Sequence, residues 1–310
     1  MAPRIAFVFP GQGSHRPDMA SAFGSAGRAV VERLGRAAGL DLAALADDAD
    51  ACAATSIGQP ALLATSLAAL VALADAGIQP DVVAGHSLGE VTAAVAAGAI
   101  GPDDGARVVA ERGRAMGAAC AATPGGMAAV VRVDLAEVAE VLRNHPEVAI
   151  ANNNAPGQLV LAGPVRALAD ALDDVGRVGG RAIPLRVEGA FHSPAMAPAV
   201  VALAQALERV PMSDPTVPLI TGVSGQVLHR GDDVKRNLVD GILAPVRWVA
   251  VFDQLIAMGT EVLVEVGPGG VLAALARRAD RGLVVHSVAR TQDVADLAAS
   301  LGQPTALVTV

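Results

Sequence analysis

A chain of 310 residues with 53% hydrophobic side chains has material for one large body and a smaller one, which excludes a disordered or fibrous protein. Its net charge of −8 argues against nucleic acid and anionic membrane surfaces as partners. The two cysteines, Cys52 and Cys120, show neither metal-ligand spacing nor a disulfide framework, so they read as small buried hydrophobes and no metal site is expected.

The first β-rich run, Ile5 to Phe9, opens into the glycine loop Pro10-Gly-Gln-Gly13. A dinucleotide fingerprint would need a third glycine at position 16, where the chain has Arg16. The start of the chain leads straight into this strand without a cleavable signal layout, which makes a cytoplasmic setting the expectation. The longest apolar stretch, Pro60 to Gly77, is interrupted by Thr65, Ser66 and Asp75 and reads as a core helix, not a membrane span.

Next comes Asp81-Val-Val-Ala-Gly-His-Ser87-Leu-Gly-Glu90, a strand that delivers a serine onto a sharp turn before a helix. Gly85 and Gly89 flank Ser87 at the positions where a side chain would collide with that turn. A serine hydroxyl needs a base and an electrostatic cradle to become a nucleophile. A helix is expected around Ala106 to Ala119, completing a parallel α/β pattern that Thr123-Pro-Gly-Gly126 then breaks.

Beyond that break the rhythm predicts strand 127–131, helix 135–142, strands 148–152 and 158–162, helix 165–175 and strand 181–185. This βαββαβ order is that of a ferredoxin-like module inserted at 126–188 between two parts of a larger body, 1–125 and 189–310. The α/β pattern resumes with strands near 217–220, 262–266 and 284–288, and the cleft between the two bodies is the natural ligand site. Gly267, Gly269 and Gly270 read as a tight strand-to-helix turn.

Of the six histidines, His86 adjoins Ser87 but points to the opposite side of its strand, whereas His192 sits where the module returns to the larger body and faces the cleft. His192 is the expected base, its Nδ1 proton held by a backbone carbonyl since no acid partner announces itself. The amide of Leu88, at a helix N-terminus, and Gln12 in the glycine loop are the candidate oxyanion donors.

The blocks Phe9-Pro-Gly-Gln-Gly-Ser14, Gln59-Pro-Ala-Leu62, Gly85-His-Ser-Leu-Gly-Glu90, Glu111-Arg-Gly-Arg-Ala-Met116, Ala190-Phe-His-Ser193, Pro245-Val-Arg-Trp248 and Glu265-Val-Gly-Pro-Gly269 occur in this order. In this the chain, from about residue 5 to about 280, resembles malonyl-CoA:acyl carrier protein transacylases and the acyltransferase domains of polyketide synthases. The resemblance implies an α/β-hydrolase-like body with a ferredoxin-like insertion. It also implies a ping-pong transfer of a malonyl group from malonyl-CoA to the phosphopantetheine thiol of an acyl carrier protein, with no bound cofactor.

Carried over, Ser87 takes up the acyl group, His192 is the base, Gln12 and Leu88 form the oxyanion hole, and the backbone carbonyl of Arg247 orients the histidine. Arg112 matches the arginine that holds the substrate carboxylate, a task for which a planar guanidinium fork is suited; the residues alone favour a helix-surface ion pair. Gln59, Met116 and Asn153 line the pocket, and Phe191 fills the space that a methyl branch would need. Gly189 and Val91 depart from the malonyl-selective pattern and are expected to open the pocket rim, leaving a bulkier carboxylated acyl group as an alternative substrate. A serine hydrolase or thioesterase, and a noncatalytic carrier-binding module, are the competing classes.

Overall fold

The computed structural model describes residues 2–280 and 282–302; residues 303–310, at the far end of the expected second part of the larger body, lie outside the described residues. The strands are β1 (Ile5–Phe9), β2 (Val82–Gly85), β3 (Gly125–Val131), β4 (Ala149–Ala155), β5 (Gln158–Pro164), β6 (Arg181–Pro184), β7 (Leu219–Ile220), β8 (Val227–Leu228), β9 (Val262–Val266) and β10 (Val284–Val288). They form a six-stranded sheet in the order β10-β9-β1-β2-β7-β8 and a four-stranded sheet in the order β4-β5-β3-β6.

The large sheet is parallel from β10 to β7, with only β8 running antiparallel to its neighbour. Its central strands β1, β2 and β9 are buried along their whole length, as strands covered on both faces are; all are apolar but for Glu265 in β9, which accepts from the Ala273 amide. The helix Thr55–Asp75 is long and apolar enough to cross a membrane by length and composition, yet most of its apolar window is packed inside the molecule. Leu62, Leu63, Leu67 and Leu73 on this helix join the main core with Phe7 and Phe9. It is therefore the core helix that its interrupted apolar run predicts.

The small sheet is antiparallel throughout and carries the helices Leu135–Leu142 and Val165–Arg177 between its strands, with a separate core around Val130, Leu161 and Val175. The Leu135–Leu142 helix begins with a reciprocal cap between Asp134 and Glu137, so its start is set by local chemistry. Segment 244–248 ties the two sheets together: Val246 donates to Ala151, Asn153 donates to Val246, and Trp248 sits in the second core of the large body. The cleft at this junction holds the side chains described next.

Candidate active site

Ser87 is positioned by the β2 turn. Its φ of 55° is left-handed, a conformation that a non-glycine residue adopts only when its surroundings impose it. Those surroundings are backbone: a Cβ on Gly85 would lie 2.0 Å from the carbonyl of Gly89, and one on Gly89 would lie 2.1 Å from the carbonyl oxygen of Phe9. Both glycines are thus required for β1, β2 and the following Gly89–Ala96 helix to approach closely enough to present the serine. Leu88 is the N-cap of that helix.

Across the cleft, Ser87 Oγ lies 2.7 Å from His192 Nε2, and His192 Nδ1 lies 2.9 Å from the carbonyl oxygen of Ala244. With Nδ1 donating to that carbonyl, Nε2 is left to accept the serine proton. The carbonyl is not that of Arg247, as the family resemblance implies. Arg247 is the N-cap of the Trp248–Ala257 helix, and its carbonyl accepts from Val251, so it is committed to the helix, while the turn three residues earlier faces the imidazole. No signal could have identified Ala244 in the sequence, because a backbone carbonyl leaves no mark on residue type.

His192 is only 3% exposed, and burial, followed by the positive charges of Arg112 and His86, lowers its pKa to about 3. The imidazole is therefore neutral across the physiological range and able to receive a proton. His86 takes no part in this pair: its Nε2 contacts Asn154 Oδ1 at 2.9 Å and its ring tilts against Trp248.

Arg112, 4% exposed, is buried in the site and not in a surface ion pair. It donates through Nη1 to Gln59 Oε1 and through Nη2 to Ser87 Oγ at 3.4 Å. Burial pulls its pKa down to about 10, partly offset by Glu90, so it stays cationic at neutral pH. Glu90 lies beneath the serine turn, where burial raises its pKa to about 7 against hydrogen bonds from Asn237 and Thr221. Glu90 closes the Ser87 block, but nothing in the residue pattern alone marks it as buried or perturbed.

Gln12, Gln59, Leu88, Met116 and Phe191 line one cleft of about 400 Å³ with Ser87, His192 and Arg112. The Gln12 side-chain oxygen accepts from Thr55 Oγ1 at 2.8 Å. Asn153 is not in the lining; its neighbours Asn152 and Asn154 are. Alternation along β4 sends every other side chain to the opposite face, and the bulges flanking these residues set which face that is.

The two expected rim openings also fall away. A Cβ on Gly189 would point at Cys120, 2.3 Å from its Sγ, and Val91 is buried in the main core, so neither position borders the cleft. Gly267, Gly269 and Gly270 all have φ between 115° and 121°, the tight turn expected of them.

Comparison with known proteins follows the same lines. The acyl transferase domain family matches residues 6–302. The chain is 36% identical over 302 residues to the malonyl CoA-acyl carrier protein transacylase of Bacillus subtilis, spanning 94% of this chain and 95% of that protein. The solved malonyl CoA-acyl carrier protein transacylase of Coxiella burnetii matches with a TM-score of 0.92 at 30% identity, over 97% of this chain and 98% of that one. A malonyl-transacylase solved in complex with its type II PKS acyl-carrier protein matches with a TM-score of 0.88 at 32% identity, over 94% of this chain and 97% of that one. From a serine on a glycine-flanked turn paired with a buried histidine across the cleft, and a family match over nearly the whole chain, it follows that this chain belongs to the acyl transferase domain family.

Proposed function

We propose that this protein moves a malonyl group from malonyl-CoA to the phosphopantetheine thiol of an acyl carrier protein through an acyl-enzyme on Ser87. The observation that carries the reading is a cationic guanidinium, Arg112, 3.4 Å from a serine Oγ that is itself 2.7 Å from a neutral imidazole. A hydrolase of neutral esters has no use for a buried cation beside its nucleophile. A malonyl thioester has: its carboxylate lies one methylene from the carbonyl under attack, and a bidentate grip on that carboxylate orients the carbonyl over Ser87. The malonyl CoA-acyl carrier protein transacylases among its relatives, and the relative solved with an acyl-carrier protein, support the same donor and acceptor.

In the first half-reaction Ser87 Oγ attacks the thioester carbonyl while His192 Nε2 takes the hydroxyl proton. The tetrahedral oxyanion is held by the amides of Leu88 and Gln12, with the Leu88 amide at a helix N-terminus. The C–S bond then breaks and His192 returns the proton to the CoA sulfur. In the second half, the carrier thiol gives its proton to His192, its sulfur attacks the Ser87 ester, and the serine recovers the proton as it leaves. Malonyl-CoA and the carrier thiol are the two substrates, and the cycle calls on no further cofactor.

Phe191 lines the cleft, and in this reading its ring faces the α-carbon of the acyl group and disfavours a branch there. One methyl is worth about 1 to 3 kcal/mol, so selectivity for malonyl over branched analogues is partial. We further infer that residues 126–188 are a ferredoxin-like insertion in an α/β-hydrolase-like body, as the βαββαβ order and the strand order β4-β5-β3-β6 support.

Intact mass spectrometry after mixing with malonyl-CoA tests the reading. A malonyl adduct is expected on the wild type, absent from Ser87→Ala and discharged by a holo carrier protein. No adduct on the wild type, or discharge to water as fast as to the carrier, overturns it.

A further inference from the structure

Thr55, the first residue of the Thr55–Asp75 helix, is fully buried, and its polar atoms meet three separate parts of the site. Its backbone amide donates to Glu188 Oε2 at 2.7 Å, and Glu188 stands four residues before His192 on the returning loop. Its hydroxyl accepts from Gln59 Nε2 at 2.7 Å and donates to Gln12 Oε1 at 2.8 Å. Gln59 Oε1 in turn accepts from Arg112. The neighbouring helix reaches this point because Gly113, next to Arg112, has no side chain: a Cβ there would lie 2.7 Å from the Thr55 carbonyl oxygen.

The direction of this chain of bonds is forced. Arginine can only donate, so Gln59 must turn its oxygen to Arg112 and its NH2 to Thr55. Thr55 must then accept from Gln59, and its single proton can go only onward to Gln12. The hydroxyl is not serving as a helix cap, since the N-cap of this helix, Ala54, makes no side-chain bond and the Thr55 proton leaves the helix altogether. A buried, fully satisfied polar chain of this kind holds its members in one arrangement.

We propose that Thr55 is a positioning residue whose hydroxyl couples the carboxylate-binding Arg112 to the oxyanion loop at Gln12, so that one side chain governs both the rate of acyl transfer and the preference for carboxylated acyl groups. This rests on the malonyl-transfer reading of the site. Thr55→Val keeps the shape of the side chain but leaves Gln59 and Gln12 facing a methyl group. The Gln12 end affects every acyl thioester, while the Gln59 end loosens Arg112 and affects only those with a free carboxylate.

The experiment measures single-turnover acylation by malonyl-CoA and by acetyl-CoA for wild type, Thr55→Ser and Thr55→Val, with thermal melting as the check on folding. Thr55→Val is expected to slow malonyl acylation about 10- to 100-fold, as for buried polar groups left unpaired, and to lower the malonyl-to-acetyl rate ratio at least about threefold. Thr55→Ser, which keeps donor and acceptor, is expected to restore both to within about threefold of wild type. If Thr55→Val does not fold, Thr55→Cys, a weak donor and acceptor of similar shape, carries the same comparison with Thr55→Ser. An unchanged rate or ratio in the valine variant, or equal losses in valine and serine variants, overturns the coupling. A wild type that malonyl-CoA does not acylate overturns the underlying reading instead, and the two failures are distinguishable.

Discussion

Burial, and after it the fixed cation of Arg112, disfavours the protonated form of His192 and so keeps the imidazole free to act as a base; on the proposed reading the same cation supplies the counter-charge for a substrate carboxylate. Replacing Arg112 by Ala is expected to lower malonyl acylation about 10- to 100-fold while leaving acetyl transfer less affected, the size of a lost charge-assisted grip. A variant that still prefers malonyl would refute the role. The same electrostatics set the pH profile. Because His192 titrates near 3 and not near its usual 6.5, acylation kcat/KM is expected to show no loss as pH falls from about 7.5 to about 5.5, measured by adduct formation in a stopped-flow quench. An acid limb centred near the ordinary imidazole value would show that the ring is not desolvated.

At the scale of elements, the site depends on close backbone approach between β1, β2 and the helix that follows Ser87. Gly85→Ala would place a methyl 2.0 Å from the backbone of Gly89, so a loss of about 4 kcal/mol or more, or failure to fold, is expected in denaturant titration. Gly189→Ala meets a side chain instead, the Cys120 thiol, and should cost about 1 to 3 kcal/mol. Since that methyl points away from the cleft, acyl selectivity should stay unchanged, whereas a shift in the malonyl-to-methylmalonyl ratio would place position 189 in the pocket.

Across the whole molecule, two buried groups give stability opposite pH dependences. For His192 the folded pKa of about 3 lies below the ordinary 6.5, so within that window the unfolded chain holds the extra proton and stability falls as pH falls. For Glu90 the folded pKa of about 7 lies above the ordinary 4.5, so the folded chain holds the extra proton and stability falls as pH rises through that window. Glu90→Gln is thus expected to gain stability relative to wild type between about pH 5 and about pH 8, read from urea midpoints at each pH. A parallel pair of curves would show that Glu90 is ionised throughout.

The candidate nucleophile Ser87, the candidate base His192 and several strands were legible in the chain because each is written in residue type: glycines at fixed spacing about Ser87, a histidine in a glycine-bordered loop, β-rich runs of strand length at Val262–Val266 and Val284–Val288; the role proposed for Arg112 came only from the family pattern around it. What residue type does not carry was left to the tertiary structure. The carbonyl that holds His192 belongs to Ala244 because one turn passes the ring, and the asparagines at the cleft are Asn152 and Asn154 because a strand has two faces and bulges choose between them. Gly189 serves the Cys120 thiol, and Thr55 meets Gln12, Gln59 and Glu188 only once three distant segments have packed. Side-chain chemistry is local to the residue that bears it, whereas direction, register and proximity exist only in the folded chain.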